Sequence, residues 1–315
     1  MQPGRSCPLS YRYAPAALAR DPELFADTLY VIGGLYGNLQ ALDWIAARAA
    51  REHSGVALVF NGDFHWFDLD HDIFNNINNI ALYHHALRGN VETEIADDDP
   101  AAGCGCGYPD FVGDAEVERS NRVIERLRET ARAHPALRAR LGALPMHLVA
   151  EVGGVRVAIV HGDAESLAGW GFSQEALRET AQRERAAAWF SAANVRVFAS
   201  SHTCLPVMQE FDTARGRCLL ANNGAAGMPN FSGTRHGLIT RISRAAAPDA
   251  IYGTEIEGIC VEALPVPYDH VGFERDFLAG WPTGSPAHAS YFQRISAGPS
   301  YRLDDAIRLR APAAA

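Results

Sequence analysis

Four short aliphatic runs each end abruptly at a polar motif, and this punctuation constrains the fold more than any other feature of the chain. Residues 28–32 run into Gly33-Gly34, and 56–60 into Asn61-Gly62-Asp63. Residues 155–160 run into His161-Gly162-Asp163, and 195–199 into Ser200-Ser201-His202. Apolar runs this short, without polar alternation, are expected to be strands buried on both faces. Open α/β sheets gather their ligand-binding groups at the carboxyl ends of such strands.

Helical segments separate the strands. Residues 39–51 place Leu39, Leu42, Ile45 and Ala46 at helical spacing, and 73–87 and 174–193 also read as helices. Residues 115–141 give Arg/Glu-rich amphipathic helices broken at Pro135. The Asp-, Ala-, Gly- and Cys-rich stretch 95–114 reads as a loop, long enough to be a lid or an insertion. Gly153-Gly154 marks a hairpin between 146–151 and 155–160. Downstream, CLLANNG, HGLITRIS and GICVEALPV alternate strands with turns, and a short helix is expected at 273–278. The expected organisation is one α/β domain over 1–315. It carries a Cys/Gly/Asp-rich insertion at 93–114 and a C-terminal extension, 265–315, that packs on the domain.

Charge narrows the function. Asp and Glu number 37 against 28 Lys and Arg, a net charge of −9. That balance gives no nucleic-acid footprint, which would require a basic surface to neutralise phosphates. It attracts metal cations and leaves a phosphate-bearing substrate in need of one. No run approaches the roughly 20 apolar residues that cross a bilayer, and the N-terminal segment lacks a secretory pattern. The protein is therefore expected to be cytoplasmic, its six cysteines mostly reduced.

Five segments in order resemble the motif blocks of the calcineurin-like metallophosphoesterases, in particular their compact bacterial phosphodiesterase branch. They are Gly34-Leu35-Tyr36-Gly37-Asn38, Gly62-Asp63, Gly89-Asn90-Val91-Glu92, His161-Gly162-Asp163 and Ser201-His202-Thr203-Cys204. The tail VPYDHVGFERDFLAGWP also resembles that branch. The resemblance implies a metallophosphoesterase-like sandwich of two mixed β-sheets flanked by helices. It also implies divalent metal ligands at Asp63, Asn90, His161 and His202. One carboxylate, one amide oxygen and two imidazoles suit Mn, Zn or Fe.

The departures from the family pattern fall together. Where the family's first block carries an Asp and a His, this chain has Gly34 and Tyr36, and Cys204 stands for the last His. All three belong to one ion's ligand set, while the other ion's set is complete, so one or two ions are expected. Tyr36 is expected to fill space near the vacated site. Val91 replaces the histidine thought to protonate the leaving group.

Residues that could rebuild the missing half are His65, as acid or ligand, and Cys204, as a metal ligand with or without Cys104 and Cys106 in a thiolate pocket. The 222–229 turn is expected near the site, and Trp66, Trp170 and Phe172 are candidates to line a substrate pocket. The implied function is a metal-dependent phosphoesterase that uses metal-activated water on a small phosphorylated substrate, a phosphodiester or nucleotide-like molecule. Its catalytic set would be Asp63, Asn90, His161, His202 and His65. The alternative is an impaired relative that binds metal and a phosphorylated ligand as a sensor. A redox or thiol enzyme acting through Cys104-Gly105-Cys106 is a third reading. The aromatic tail (Trp281, Tyr291, Phe292, Tyr301) packs on the body or on a second subunit of a homo-oligomer.

Overall fold

A computed structural model describes residues 2–53, 55–97 and 100–309. Thus residues 98–99 of the insertion and 310–315 of the extension lie outside the described residues. Among those described, the strands are β1 (Leu24–Ala26), β2 (Thr28–Ile32), β3 (Val56–Asn61), β4 (His85–Leu87), β5 (His147–Val152), β6 (Val155–Val160), β7 (Val197–Ser200), β8 (Val207–Thr213), β9 (Gly216–Asn222), β10 (Gly237–Ser243), β11 (Tyr252–Ile256), β12 (Ile259–Val266) and β13 (Ile307–Arg308). They form two sheets, ordered β11-β12-β10-β2-β3-β4 and β1-β5-β6-β7-β9-β8-β13. Both are mixed. β2, β3 and β4 run parallel while β10 opposes β2. β6, β7 and β9 run parallel while β5 opposes β6.

The uninterrupted hydrophobicity of the central strands follows from burial on both faces. Side chains alternate across a strand. Leu29 and Val31 of β2 therefore join Val59, Ile159, Val197 and Leu219 between the sheets, while Tyr30 and Ile32 face outward. The outward set packs under α1 (Leu39–Ala49), α2 (His71–Ala81), α4 (Asp114–Arg132), α7 (His270–Gly280) and α8 (Pro286–Ala297). On the far side, Phe198 and Val160 pack under α6 (Thr180–Ala193) through Phe190 and Trp189. The architecture is a four-layer α/β/β/α sandwich. Among the described residues, no helix is long and apolar enough to cross a membrane.

Some local expectations need correcting. The helix expected over 73–87 ends at Ala81, and His85–Leu87 is an edge strand paired with Val59–Asn61. Three residues at a sheet edge carry too little pattern to compete with the helical period before them. The stretch taken as loop from 95 begins inside helix α3 (Asn90–Ala96). Helix α8 was not anticipated, although Ser285 caps its first turn and Pro286 opens it, a known start signal.

Candidate metal centre

The fold brings the carboxyl ends of β3, β4, β6 and β7 to a common rim. Asp63 follows β3, Asn90 follows β4, His161 directly follows β6, and His202 lies just past β7. Asp63 sits in a left-handed turn, with φ +72° at Gly62 and +51° at Asp63. Gly62 has no room for a β-carbon, which would meet the Gly89 backbone nitrogen at 2.5 Å and His161 Nδ1 at 2.6 Å. Asp tolerates the second left-handed position better than most residues.

Glu92 locks this turn in place. Its buried carboxylate accepts from the backbone N–H groups of Asp63 (2.7 Å), Phe64 (3.1 Å), His65 (3.4 Å) and Gly89 (2.8 Å). Burial, with Asp63 close by, raises the Glu92 pKa. Replacing Glu92 with Gln turns an amide donor onto backbone donors. The expected cost is about 2–4 kcal/mol of stability, since bonds to charged acceptors and the penalty for stranded buried donors both enter. Urea unfolding checks this, and an unchanged midpoint would contradict the locking role.

The four side chains meet as acceptors. His161 Nδ1 donates to the Asn61 carbonyl at 2.8 Å, leaving Nε2 to face the cluster. His202 Nε2 donates to the Cys106 carbonyl at 2.9 Å, leaving Nδ1 inward. Asn90 Nδ2 donates to the Cys104 carbonyl at 2.9 Å, which turns its Oδ1 inward. Asp63 Oδ1 accepts from the Val91 N–H at 3.1 Å, leaving Oδ2. Around His161 Nε2, Asp63 Oδ2 lies at 3.3 Å, Asn90 Oδ1 at 3.3 Å and His202 Nδ1 at 3.2 Å. Ligands about 2.1 Å from a shared ion stand roughly 3.0–3.4 Å apart in octahedral to tetrahedral arrangements. The residues fit a divalent cation, and Asp63, His161 and His202 alone already form a compact buried ligand group.

Electrostatics agree with the geometry. Burial, reinforced by His161, pushes His202 down to about 4, so it is neutral and ready to ligate. Burial opposes charge on Asp63 too, but His161 and His202 outweigh it and hold the carboxyl below its ordinary pKa. Asp63 in turn overcomes the burial of His161 and raises its pKa.

At the positions that the resemblance assigns to a second ligand set, Tyr36 and Cys204 form a plug. Tyr36, nearly fully buried and also at positive φ, has its hydroxyl 3.0 Å from Cys204 Sγ. A β-carbon on Gly34 would meet Tyr36 Cε2, Cζ and Oη, each at 2.9 Å. The ring thus occupies the space that a side chain at position 34 would need. Arg294 closes the plug from α8, donating to the Cys204 carbonyl at 2.7 Å. Burial raises the pKa of both Tyr36 and Cys204, so both stay protonated.

Three expectations about the rebuilt half do not match this arrangement. His65 does not reach the cluster. Its ring turns into the helix-covered core, held by Asp68 Oδ2 at 2.5 Å and stacked on Phe74. Cys204 pairs with Tyr36 rather than joining the acceptor group. Cys104 and Cys106 lie sulfur against sulfur, facing each other rather than sharing a pocket with Cys204. The 222–229 turn does brace the site from behind. Asn223 Nδ2 donates to the carbonyls of Gly33 and Leu238, and Gly227 passes too close to the Leu35 carbonyl for any side chain.

A cavity of about 200 Å³ opens onto Asp63, Asn90 and His202. Its wall is mostly aromatic and aliphatic, including Trp66, Val91, Tyr108, Val112, Trp170 and Tyr291. Of the three aromatics expected to line it, Phe172 is instead core beneath α6. Tyr108 and Tyr291 were missed, because nothing in the local pattern distinguishes a pocket aromatic from a core one.

The chain matches no family model and no curated protein. Among solved structures it is similar to a metallophosphoesterase from Sphaerobacter thermophilus, with TM-score 0.54 and 17% identity over 87% of this chain and 100% of that one. It is also similar to a hypothetical protein from Pyrococcus horikoshii OT3, with TM-score 0.57 and 16% identity over 87% of this chain and 99% of that one. The fold is that of the metallophosphoesterases. Its two-sheet sandwich is the architecture expected from the five motif blocks.

Proposed function

We propose that the protein is a metal-dependent phosphoesterase whose single-ion centre is held by Asp63, Asn90, His161 and His202. The observation that carries this reading is the convergence of four acceptor atoms, each aimed inward by a separate hydrogen bond, at the mouth of a cavity. Asp63, Asn90 and His202 crowd at 3.2–3.3 Å around His161 Nε2, and a bound cation would satisfy all four groups at once. When bound, a divalent ion acidifies a water molecule and neutralises charge on a phosphoryl oxygen.

The chain's own groups define the rest. No Lys or Arg lines the cavity among the described residues, which leaves the ion as the source of positive charge for a phosphate. Tyr36, kept protonated, offers a neutral hydroxyl beside the cluster. The aromatic wall suits a small phosphodiester or nucleotide-like molecule. Val91 lines the cavity where the family pattern has its proton donor. General acid catalysis is typically worth ~10²–10⁴ in rate, so esters with good leaving groups are the expected substrates.

The test is hydrolysis of bis(p-nitrophenyl) phosphate with added Mn²⁺. Turnover is expected, with loss on chelation and a drop of about 10²-fold or more in His161→Ala, the scale of losing one electrostatic stabiliser. Turnover unaffected in His161→Ala and His202→Ala would remove the site assignment. Val91 also favours a second reading, a metal and phosphate binder without turnover. Metal-dependent phosphate binding with no hydrolysis of any activated ester would select it.

A further inference from the structure

The Cys104-Gly105-Cys106 segment does more than border the cavity. The Cys104 carbonyl orients the Asn90 amide at 2.9 Å. The Cys106 carbonyl fixes the His202 tautomer at 2.9 Å and also accepts from Trp170 Nε1 at 2.9 Å. Two of the four acceptors at the cluster are thus aimed by the backbone of two residues whose sulfurs lie against each other. Partners of this kind matter, because removing them typically costs 10–100-fold in metal affinity.

The outside of the loop is braced and its inside carries the sulfur pair. Gly105 has φ +65°, and a β-carbon there would lie 2.5 Å from Tyr11 Oη and 2.9 Å from Glu94 Cγ. Asn121 Oδ1 accepts from the Cys104 N–H at 3.0 Å, and Arg128 binds the Glu94 carboxylate at 2.8 Å. Cys104 is fully buried, whereas Cys106 is 7% exposed and lines the cavity. A small thiol entering the cavity therefore meets Cys106 first.

We propose that Cys104 and Cys106 form a thiol–disulfide site that sets the affinity of the neighbouring cluster for its metal ion. This rests on the metal reading of Asp63, Asn90, His161 and His202. In the oxidised state the covalent link holds both carbonyls on their partners. On reduction that link is lost and the two sulfurs are free to move apart. Cys106 borders the cavity and has space to move into, so its carbonyl shifts from His202 and the cluster loosens.

The exchange balances with a low-molecular-weight disulfide as oxidant. The Cys106 thiolate attacks one sulfur of the small disulfide and expels one small thiolate. The Cys104 thiolate then attacks Cys106 Sγ, forming the internal bond and expelling the second. Two electrons and two protons pass from the protein thiols to yield two small thiols.

The experiment compares protein oxidised with glutathione disulfide against protein reduced with a phosphine and desalted. The 104–106 state is assigned by alkylation and mass spectrometry, and each form is titrated with Co²⁺ followed by visible absorption. Reduced protein is expected to bind Co²⁺ about 10–100-fold more weakly. Cys104→Ser/Cys106→Ser is expected to bind like the reduced form under both conditions. Equal Co²⁺ affinity in the two redox states overturns the inference and leaves the metal site standing. So does tighter binding on reduction with thiolate-to-cobalt charge transfer, or failure of glutathione disulfide to form the pair. Absence of Co²⁺ uptake in either state removes the metal reading itself, and this inference with it. The wild-type comparison is decisive even if the double variant does not fold.

Discussion

Asp63→Asn is expected to lose at least about 100-fold in divalent-metal affinity while melting within a few degrees of the parent. Asn is the informative substitution because position 63 lies at φ +51°, where Asn is tolerated and Ala is strained. The amide oxygen can still accept from the Val91 N–H, as Asp63 Oδ1 does now at 3.1 Å. What disappears is the negative charge facing His161 and His202, the one full anion in the acceptor group. Cobalt titration reads the affinity and thermal unfolding of the metal-free protein reads the fold. Tight binding retained by Asp63→Asn would mean that the ion, if any, is held elsewhere.

Gly34→Asp is expected to destabilise the protein by about 2–4 kcal/mol, from strain at positive φ and from overpacking against Tyr36. The β-carbon alone would lie 2.9 Å from two ring carbons and the hydroxyl oxygen of Tyr36, and the residue sits at φ +65°. Adding Tyr36→His removes the ring contact and is expected to recover about 1–2 kcal/mol, the range of coupling between touching residues. Further addition of Cys204→His restores the ligand types of the family pattern, and elemental analysis is expected to rise from one ion per chain to two. Urea unfolding of the single and double variants measures the coupling. A Gly34→Asp protein as stable as the parent would show that Tyr36 yields without cost and does not plug the half-site.

The legible parts of the sequence were those where backbone and chemistry coincide. Asp63, Asn90, His161 and His202 each follow a strand and most sit beside a glycine, so a single chain of reasoning located the turn and the functional group together. The four-layer fold was legible because strands buried on both faces lack alternation. His65 was not legible. It lies two residues from Asp63, but the left-handed turn and Asp68 send its ring into the core, and spacing alone carries no side-chain direction. The contact between the Cys104 and Cys106 sulfurs was not legible, because a single C-x-C carries no side-chain direction. Glu92 appeared in the sequence only as an acid trailing a motif. Its four backbone partners belong to two separate segments that only tertiary structure joins.

Two of the four acceptors, Asp63 and Asn90, hang from one sheet, and the other two, His161 and His202, hang from its partner. Between the sheets lies mainly apolar side-chain packing, with few cross-links such as Asn61 Nδ2 to the Val160 carbonyl at 2.8 Å, so it resists separation but has limited directional stiffness. An ion grasped from both sides would act as a rivet at that rim, so that splaying of the two layers there requires breaking coordination bonds. Breathing of the sandwich and occupancy of the centre then become one mechanical variable.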